Sequence, residues 1–177
     1  MRWLLGGQGQ IAAWIRTIVL GLLLALGIRA AVVEAFVIPS GSMEPTLQVG
    51  DRVLASKFWF WLTDPRQQEI VIFAPPPAAG MTSQTLIKRV IAVESDIVEI
   101  MDGQVLVNGR HLAEPYLKER PDYVLPPTPV PAGMLFVLGD NRNASYDSHV
   151  WGFVPRAALR GKAFLRYWPL GRIGLLR

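Results

Sequence analysis

Residues Thr17 to Ile28, reading Thr-Ile-Val-Leu-Gly-Leu-Leu-Leu-Ala-Leu-Gly-Ile, contain neither charge nor proline and are bounded by Arg16 and Arg29. A run this apolar satisfies its backbone as a helix in apolar surroundings. Twelve residues at about 1.5 Å each span about 18 Å, short of a hydrocarbon core of about 30 Å. A spanning helix must therefore take in a flanking arginine, and extension back to Ile11 gives 18 residues. Arg16 then snorkels to the interface, with Trp3 and Trp14 at headgroup level. Arg2 and Arg16 precede the run, so the positive-inside rule puts the N-terminus in the cytoplasm and the bulk of the chain outside. The expectation is a cytoplasmic N-terminus and transmembrane anchor over 1–38, then an extracytoplasmic domain over 39–177. The alternatives are a cleavable signal peptide ending near Ala31 or Ala35 and a buried core helix.

Charge narrows the partners. The first 38 residues hold three Arg and one Glu, and the remaining 139 hold 15 cations and 13 anions. That balance lacks the basic excess of a nucleic-acid binder, so no nucleic-acid partner is expected. The last 22 residues, Arg156 to Arg177, carry six cations and no acid. With Trp168 they read as a basic tail, either solvated or resting on an anionic lipid surface. The absence of cysteine rules out disulfides, thiol nucleophiles and cysteine-ligated zinc, and two histidines, His111 and His149, are too few for a histidine-rich metal site. No metal and no cofactor are expected.

After Pro39 the pattern changes to short β-branched runs, which predicts an all-β domain. Asp51–Ser56, Glu69–Ala74, Thr85–Val93 and Met134–Leu138 read as strands bounded by turn residues. Ile97–Ile100 and Val105–Asn108 flank Asp102-Gly103, and Asn108-Gly109 follows, two dipeptides suited to positive φ and so to antiparallel pairing. The proline-rich stretches 75–80 and 126–131 are loops or sheet edges, because proline cannot donate to a ladder.

Two segments carry candidate chemistry. A serine hydroxyl is activated by an unprotonated lysine if that lysine is buried enough to lose its proton near neutrality. In Leu86-Ile-Lys-Arg-Val-Ile91 the period-two alternation puts Lys88 on one face with Leu86 and Val90, and Arg89 on the other. Lowering its pKa from about 10.4 to near 8 costs about 3 kcal/mol of differential solvation, within reach of burial. The second segment, Ile38-Pro-Ser-Gly-Ser-Met-Glu-Pro-Thr-Leu47, is a turn that presents two hydroxyls between stiffening prolines.

Together these segments resemble the bacterial type I signal peptidases, membrane-bound Ser-Lys proteases that remove signal peptides. Pro39 to Leu47 is similar to the family's nucleophile box, Gly50-Asp51 to its following turn and Lys88-Arg-Val-Ile91 to its lysine box. Gly139-Asp-Asn-Arg142 through Ser145, Asp147, Ser148 and Trp151-Gly-Phe-Val-Pro155 resembles its last box. The four blocks stand in the family's order between Phe36 and Pro155. The resemblance implies the antiparallel β fold shared by signal peptidases and LexA, with Ser42 as nucleophile and Lys88 as general base. It further implies an oxyanion hole from the Ser42 N–H and the Ser40 hydroxyl, Ser145 orienting the lysine amine, and Asp147 supporting the region through an ion pair. The chain departs from the family pattern at three places: His149 stands where an arginine is common, Asn143-Ala144 where Asp-Asn is usual before the serine, and Ser95 where a glycine is usual. His149 keeps a Ser-His-Asp arrangement with Asp147 formally open.

The family takes small residues at the minus-one and minus-three positions of its substrates, which implies shallow apolar pockets beside an extended docking strand. Phe36, Ile38, Met43, Leu47, Leu86 and Ile87 match the positions lining them. The aromatic run Phe58-Trp-Phe-Trp-Leu62 either dips into the outer leaflet or packs as a strand. The implied activity is a membrane serine endopeptidase cutting after Ala-X-Ala type sites, in a plasma or thylakoid-type membrane. Its implied partners are signal peptides, the bilayer and nearby translocation machinery. The alternatives are a LexA-type self-cleaving protein and a silent, membrane-tethered β interaction domain.

Overall fold

The computed structural model describes residues 6–81 and 85–176, with the side chains of 6–9, 25, 26 and 28–31 left outside the description. Arg2 and Trp3, and the side chains of Arg29 and Ala31, therefore lie outside the described residues. A helix, α1 (Gly6–Val32), leads directly into an all-β body. The strands are β1 (Val33–Val37), β2 (Arg52–Ser56), β3 (Ile70–Phe73), β4 (Leu86–Val93), β5 (Ile97–Met101), β6 (Gln104–Val107) and β7 (Arg110–His111). They continue as β8 (Leu125–Pro129), β9 (Met134–Leu138), β10 (Val154–Pro155), β11 (Leu159–Trp168) and β12 (Gly174–Leu175). A short helix α2 (Trp59–Leu62) follows β2, and α3 (Ser148–Trp151) follows β9. Pairing is antiparallel throughout these ladders. The larger sheet runs β1-β2-β11-β3-β4-β9-β10 with β12 beside β11, and the smaller runs β7-β6-β5-β8.

Three expectations change. The region 1–38 is not one anchor unit, because Val33–Val37 is the edge strand of the large sheet, registered Val33↔Ser56 through Val37↔Arg52. Ala35, a candidate cleavage point, lies in the middle of that strand opposite Leu54. The C-terminal segment is not a loose basic tail: Leu159–Trp168 is an interior strand between β2 and β3. Several of its cations are engaged in the fold. Lys162 pairs with Glu69 at 2.7 Å, Arg166 donates to the Thr46 carbonyl at 2.6 Å, and Arg172 reaches Asp51 at 3.1 Å. Gly161 makes the central position possible, since a Cβ there would stand 2.8 Å from the Ser56 carbonyl oxygen. The aromatic run forms no strand but α2 and its approach, with Trp61 79% exposed.

α1 has the expected place in the chain, yet among the described residues no helix is long and apolar enough to cross a membrane. The described helix does not support the transmembrane anchor. It also excludes the buried core helix, because Ile11, Trp14, Ile15, Ile18, Leu23 and Leu24 are all exposed.

The strand and turn expectations for the β body hold closely. The turns at Asp102-Gly103 and Asn108-Gly109 have positive φ at all four residues. The prolines of 126–129 sit in β8, the outer strand of the small sheet, where a missing N–H costs no ladder bond. Ser95, in the glycine position, takes φ +70°, so the backbone keeps the left-handed turn and the serine carries the strain. The core falls into three clusters. One lies between the small sheet and the ends of β4 and β9, one under the Ile38–Leu47 loop, and one where Trp151 and Val154 cover β3, β4 and β9. Because Ser95 is exposed and its side chain does no packing, Ser95→Gly is expected to stabilise the protein by about 0.5–1 kcal/mol in urea unfolding.

Candidate active site

The loop between β1 and β2 is pinched at its neck: Ile38 N donates to Asp51 O and Gly50 N to Ile38 O, each at 2.9 Å. Met43 and Leu47, both fully buried, pin its inner side to the core. Just before them a single 3-10 turn, Gly41–Met43, lifts Ser42 to a half-buried position. The same turn is held from across the site, where Asn141 N donates to Ser42 O and Asn141 Nδ2 to Gly41 O, both at 3.1 Å.

Lys88 arrives from β4, opposite Val71 in the register, and is 4% exposed. Its Nζ lies 2.6 Å from Ser42 Oγ. Burial pushes the ammonium down from 10.5 to about 8, against the pull of the Asp147 and Asp140 carboxylates, which raise it. The amine is thus half neutral at about pH 8, and in that form its lone pair can face the neighbouring hydroxyl. Ser40 Oγ stands 3.4 Å from Ser42 Oγ, so both hydroxyls point into one space.

The floor is the 139–149 segment after β9. Gly139 permits the closest approach in the site: a Cβ there would overlap Ser145 Oγ and the Ser42 carbonyl oxygen. Ser145 Oγ is buried and has no hydrogen-bond partner among the described residues, so the expected contact with the lysine amine is not made. Asp147 is fully buried and accepts from Gly139 N at 2.8 Å and from His149 Nδ1 at 2.7 Å. His149 therefore does take the arginine's place beside the aspartate. Its ring stacks on Tyr123 at 4.0 Å between centroids, and its contacts are with Asp147 and Tyr123, whereas Ser42 Oγ is engaged by Lys88.

The pocket residues divide. Phe36, Leu86 and Ile87 retain surface, whereas Ile38, Met43 and Leu47 are core, at or below 2% exposure, and back the loop from inside. A buried polar layer received no role from the sequence. Arg89, 1% exposed, makes a two-pronged pair with Asp140 at 2.8 and 2.6 Å, and Thr46 Oγ1 donates to the same carboxylate at 2.5 Å. This ties the nucleophile loop to the floor. Arg89 and Asp140 each follow or sit within a recognised block, but their pairing spans 51 residues and no spacing rule connects them. Among the described residues no cluster of acidic or histidine side chains could hold a metal ion.

Two outcomes follow from this geometry. Gly139→Ala is expected to displace Ser42 or Ser145 and to lower activity at least about tenfold while costing stability, read from turnover and urea unfolding together. For Lys88 the folded pKa lies below the unfolded one, so the folded state resists protonation. Its penalty is full below about pH 8 and fades as pH rises towards 10.5. Lys88→Met is therefore expected to be more stable than the parent at pH 7 by about 2–3 kcal/mol. That difference should shrink steadily when unfolding is repeated up to pH 10.5.

Residues 11–168 match the family model described as "Signal peptidase, peptidase S26". The chain is 50% identical over 163 residues to the "Probable signal peptidase I-2" of Synechocystis sp., covering 91% of this chain and 75% of that one. It is 47% identical over 166 residues to the "Signal peptidase I" of Leptolyngbya laminosa, covering 92% and 82%. It is also 45% identical over 149 residues to the "Probable thylakoidal processing peptidase 2, chloroplastic" of Arabidopsis thaliana, covering 82% of this chain and 41% of the plant protein. With its Ser42–Lys88 contact inside a match that spans nearly its whole length, the chain belongs to the peptidase S26 family of signal peptidases.

Proposed function

We propose that the protein is a membrane-held serine endopeptidase that removes N-terminal signal peptides from translocated preproteins, with Ser42 as nucleophile and Lys88 as general base. The observation that carries the reading is the 2.6 Å approach of Nζ to Oγ by a lysine whose burial brings it to about 8. Ser42 Oγ attacks the scissile carbonyl while Lys88 takes its proton, and the new C–O bond leaves negative charge on the carbonyl oxygen. The Ser42 N–H and the Ser40 hydroxyl donate to that oxyanion. Lys88 then returns its proton to the departing amine, and the acyl-enzyme is cleared by a water activated by the same amine. Asp147, bound to Gly139 N, holds the floor, and Ser145, whose buried hydroxyl lies against Gly139, is the proposed partner that orients the amine.

β1 is an edge strand next to this site, and an unpaired edge accepts an extended peptide as an added strand. Phe36, Leu86 and Ile87 then border the minus-one and minus-three side chains, backed by Ile38, Met43 and Leu47, which favours Ala-X-Ala type sites. Attachment to a plasma or thylakoid-type bilayer is supported by the exposed apolar surface of α1 and by Trp59, Trp61 and Leu62 of α2. In this arrangement the N-terminus is cytoplasmic and the β body is on the far side, where translocation machinery delivers the emerging preprotein.

The test is cleavage of a preprotein bearing an Ala-X-Ala site by the full chain in detergent or lipid. The parent is expected to cut after the second Ala, and Ser42→Ala and Lys88→Ala, with folds verified, to lose about 1000-fold or more. Because neutral lysine is the active form, kcat/KM should rise about tenfold per pH unit below about 8 and level off above. Ser40→Ala should cost about 100-fold in kcat with little change in KM. Normal cutting by Lys88→Ala would remove lysine as the base and leave His149 in its place. No cutting by the folded parent would favour a silent interaction domain.

A further inference from the structure

The small sheet returns to the active site through one segment. After β7 the chain runs back over residues 112–124, and within it Glu114 and Tyr116 turn inward. The Glu114 carboxylate accepts from Arg142 Nη1 at 3.0 Å and, in a shorter contact, from Nη2, with the two side chains 7% and 0% exposed. The third arm of that guanidinium, Nε, donates to Gly139 O at 3.1 Å. Arg142 directly follows Asn141, whose two nitrogens hold the carbonyls of Ser42 and Gly41. Tyr116 Oη donates to Glu114 Oε1 at 2.9 Å, and its ring packs flat against the Arg89 guanidinium, 3.8 Å from the centroid. Burial beside Glu114 pushes the Tyr116 phenol up, so it remains a donor at any working pH.

Two buried guanidiniums thus flank residues 139–142, and the 114–116 segment touches both. A buried arginine stripped of its carboxylate leaves an uncompensated charge, and the local backbone moves to rehydrate it. Here that backbone is the one bonded to the nucleophile turn. Removing Glu114 frees Arg142 from one side, loosens its grip on Gly139 O, and shifts Asn141 away from the Ser42 carbonyl. Displacement of a nucleophile by about 1 Å is enough to lower turnover about 100-fold.

We propose that Glu114 is a positioning residue for the reaction: through Arg142 and Asn141 it sets the turn that carries Ser42, with Tyr116 holding its carboxylate in place. The proposal rests on the reading of Ser42 as nucleophile. It makes the small sheet part of the catalytic apparatus, since the strap is threaded from its edge strand and the only carboxylate on Arg142 among the described contacts comes from there.

The experiment compares kcat, KM and unfolding midpoint of the full chain for Glu114→Gln, Glu114→Asp, Tyr116→Phe and Val105→Ala. Val105→Ala is a control that weakens the small sheet's core, against which Leu112 and Tyr123 also pack, without removing any polar contact of Glu114 or Tyr116. Glu114→Gln is expected to lower kcat at least about tenfold at temperatures well below its midpoint, with KM nearly unchanged. The rising pH limb near 8 should stay where it is, because Glu114 is not among the charges acting on Lys88. Glu114→Asp should fall between Gln and the parent, and Tyr116→Phe should lose a few-fold. A double variant with Arg142→Lys should lose little more than the worse single one. If Glu114→Gln does not fold, Tyr116→Phe and Glu114→Asp carry the test. The proposal is overturned if those variants keep the parental kcat, or if Val105→Ala lowers kcat as much at equal loss of stability. Ser42→Ala separates the two readings: an active Ser42→Ala sinks the assignment of the nucleophile, whereas an inactive one beside a fully active Glu114→Gln sinks the strap alone.

Discussion

The structure is organised around the burial of one amine. Lys88 is worth little as a base in water, where it holds its proton well above any working pH, and desolvation alone supplies the change. Desolvation cannot act without limit, because Asp140 and Asp147 lie close enough to raise the same group. The balance leaves the amine near 8, where its neutral and charged forms lie close in free energy at working pH. Every neighbouring feature serves that balance. The β3–β4 pairing walls off the amine, the nucleophile loop caps it with Ser42, and the 139–149 segment supplies the carboxylates at a fixed distance.

The second organising element is a set of buried ion pairs whose members come from distant parts of the chain. Arg89 with Asp140 and Arg142 with Glu114 connect β4, the floor and the small sheet's return segment. Pairs of this kind contribute little net stability, since the loss of hydration roughly offsets the attraction. Their value is directional: a two-pronged guanidinium–carboxylate contact admits one geometry, whereas apolar packing tolerates several. In this fold they hold the two loops that must meet at Ser42, neither of which has a ladder of its own at that point. Gly139 completes the arrangement, because a side chain there would keep the two loops apart.

The antiparallel β body was legible from local chemistry. Strands such as Met134–Leu138 and turns such as Asp102-Gly103 reappear nearly residue for residue, since alternation and positive-φ dipeptides act within a few positions. β11 escaped because its cations look like a tail when read for charge. Their partners Glu69, Asp51 and the Thr46 carbonyl lie about a hundred residues away, and Gly161 signals a close backbone approach only once β2 is known to lie beside it. β1 escaped because Ala30–Val33 and Ala35–Ile38 carry the apolar character on past Arg29 with only Glu34 between them. Ser95 shows the opposite case: the residue departs from glycine, yet the turn's geometry survives because neighbouring pairing imposes it.

The amino-acid sequence by itself determined which groups are proposed to react and the order of the elements that carry them. Ser42 between two prolines and Lys88 on an alternating strand are local patterns, and local patterns survive without knowledge of the fold. Only the tertiary structure decided that Lys88 is buried, that its amine meets Ser42, that Met43 and Leu47 are core and not pocket wall, and that Glu114 pairs with Arg142 beside them. Each of these depends on desolvation or on contacts between residues tens of positions apart. Such contacts come into being when the sheets close over one another and water leaves.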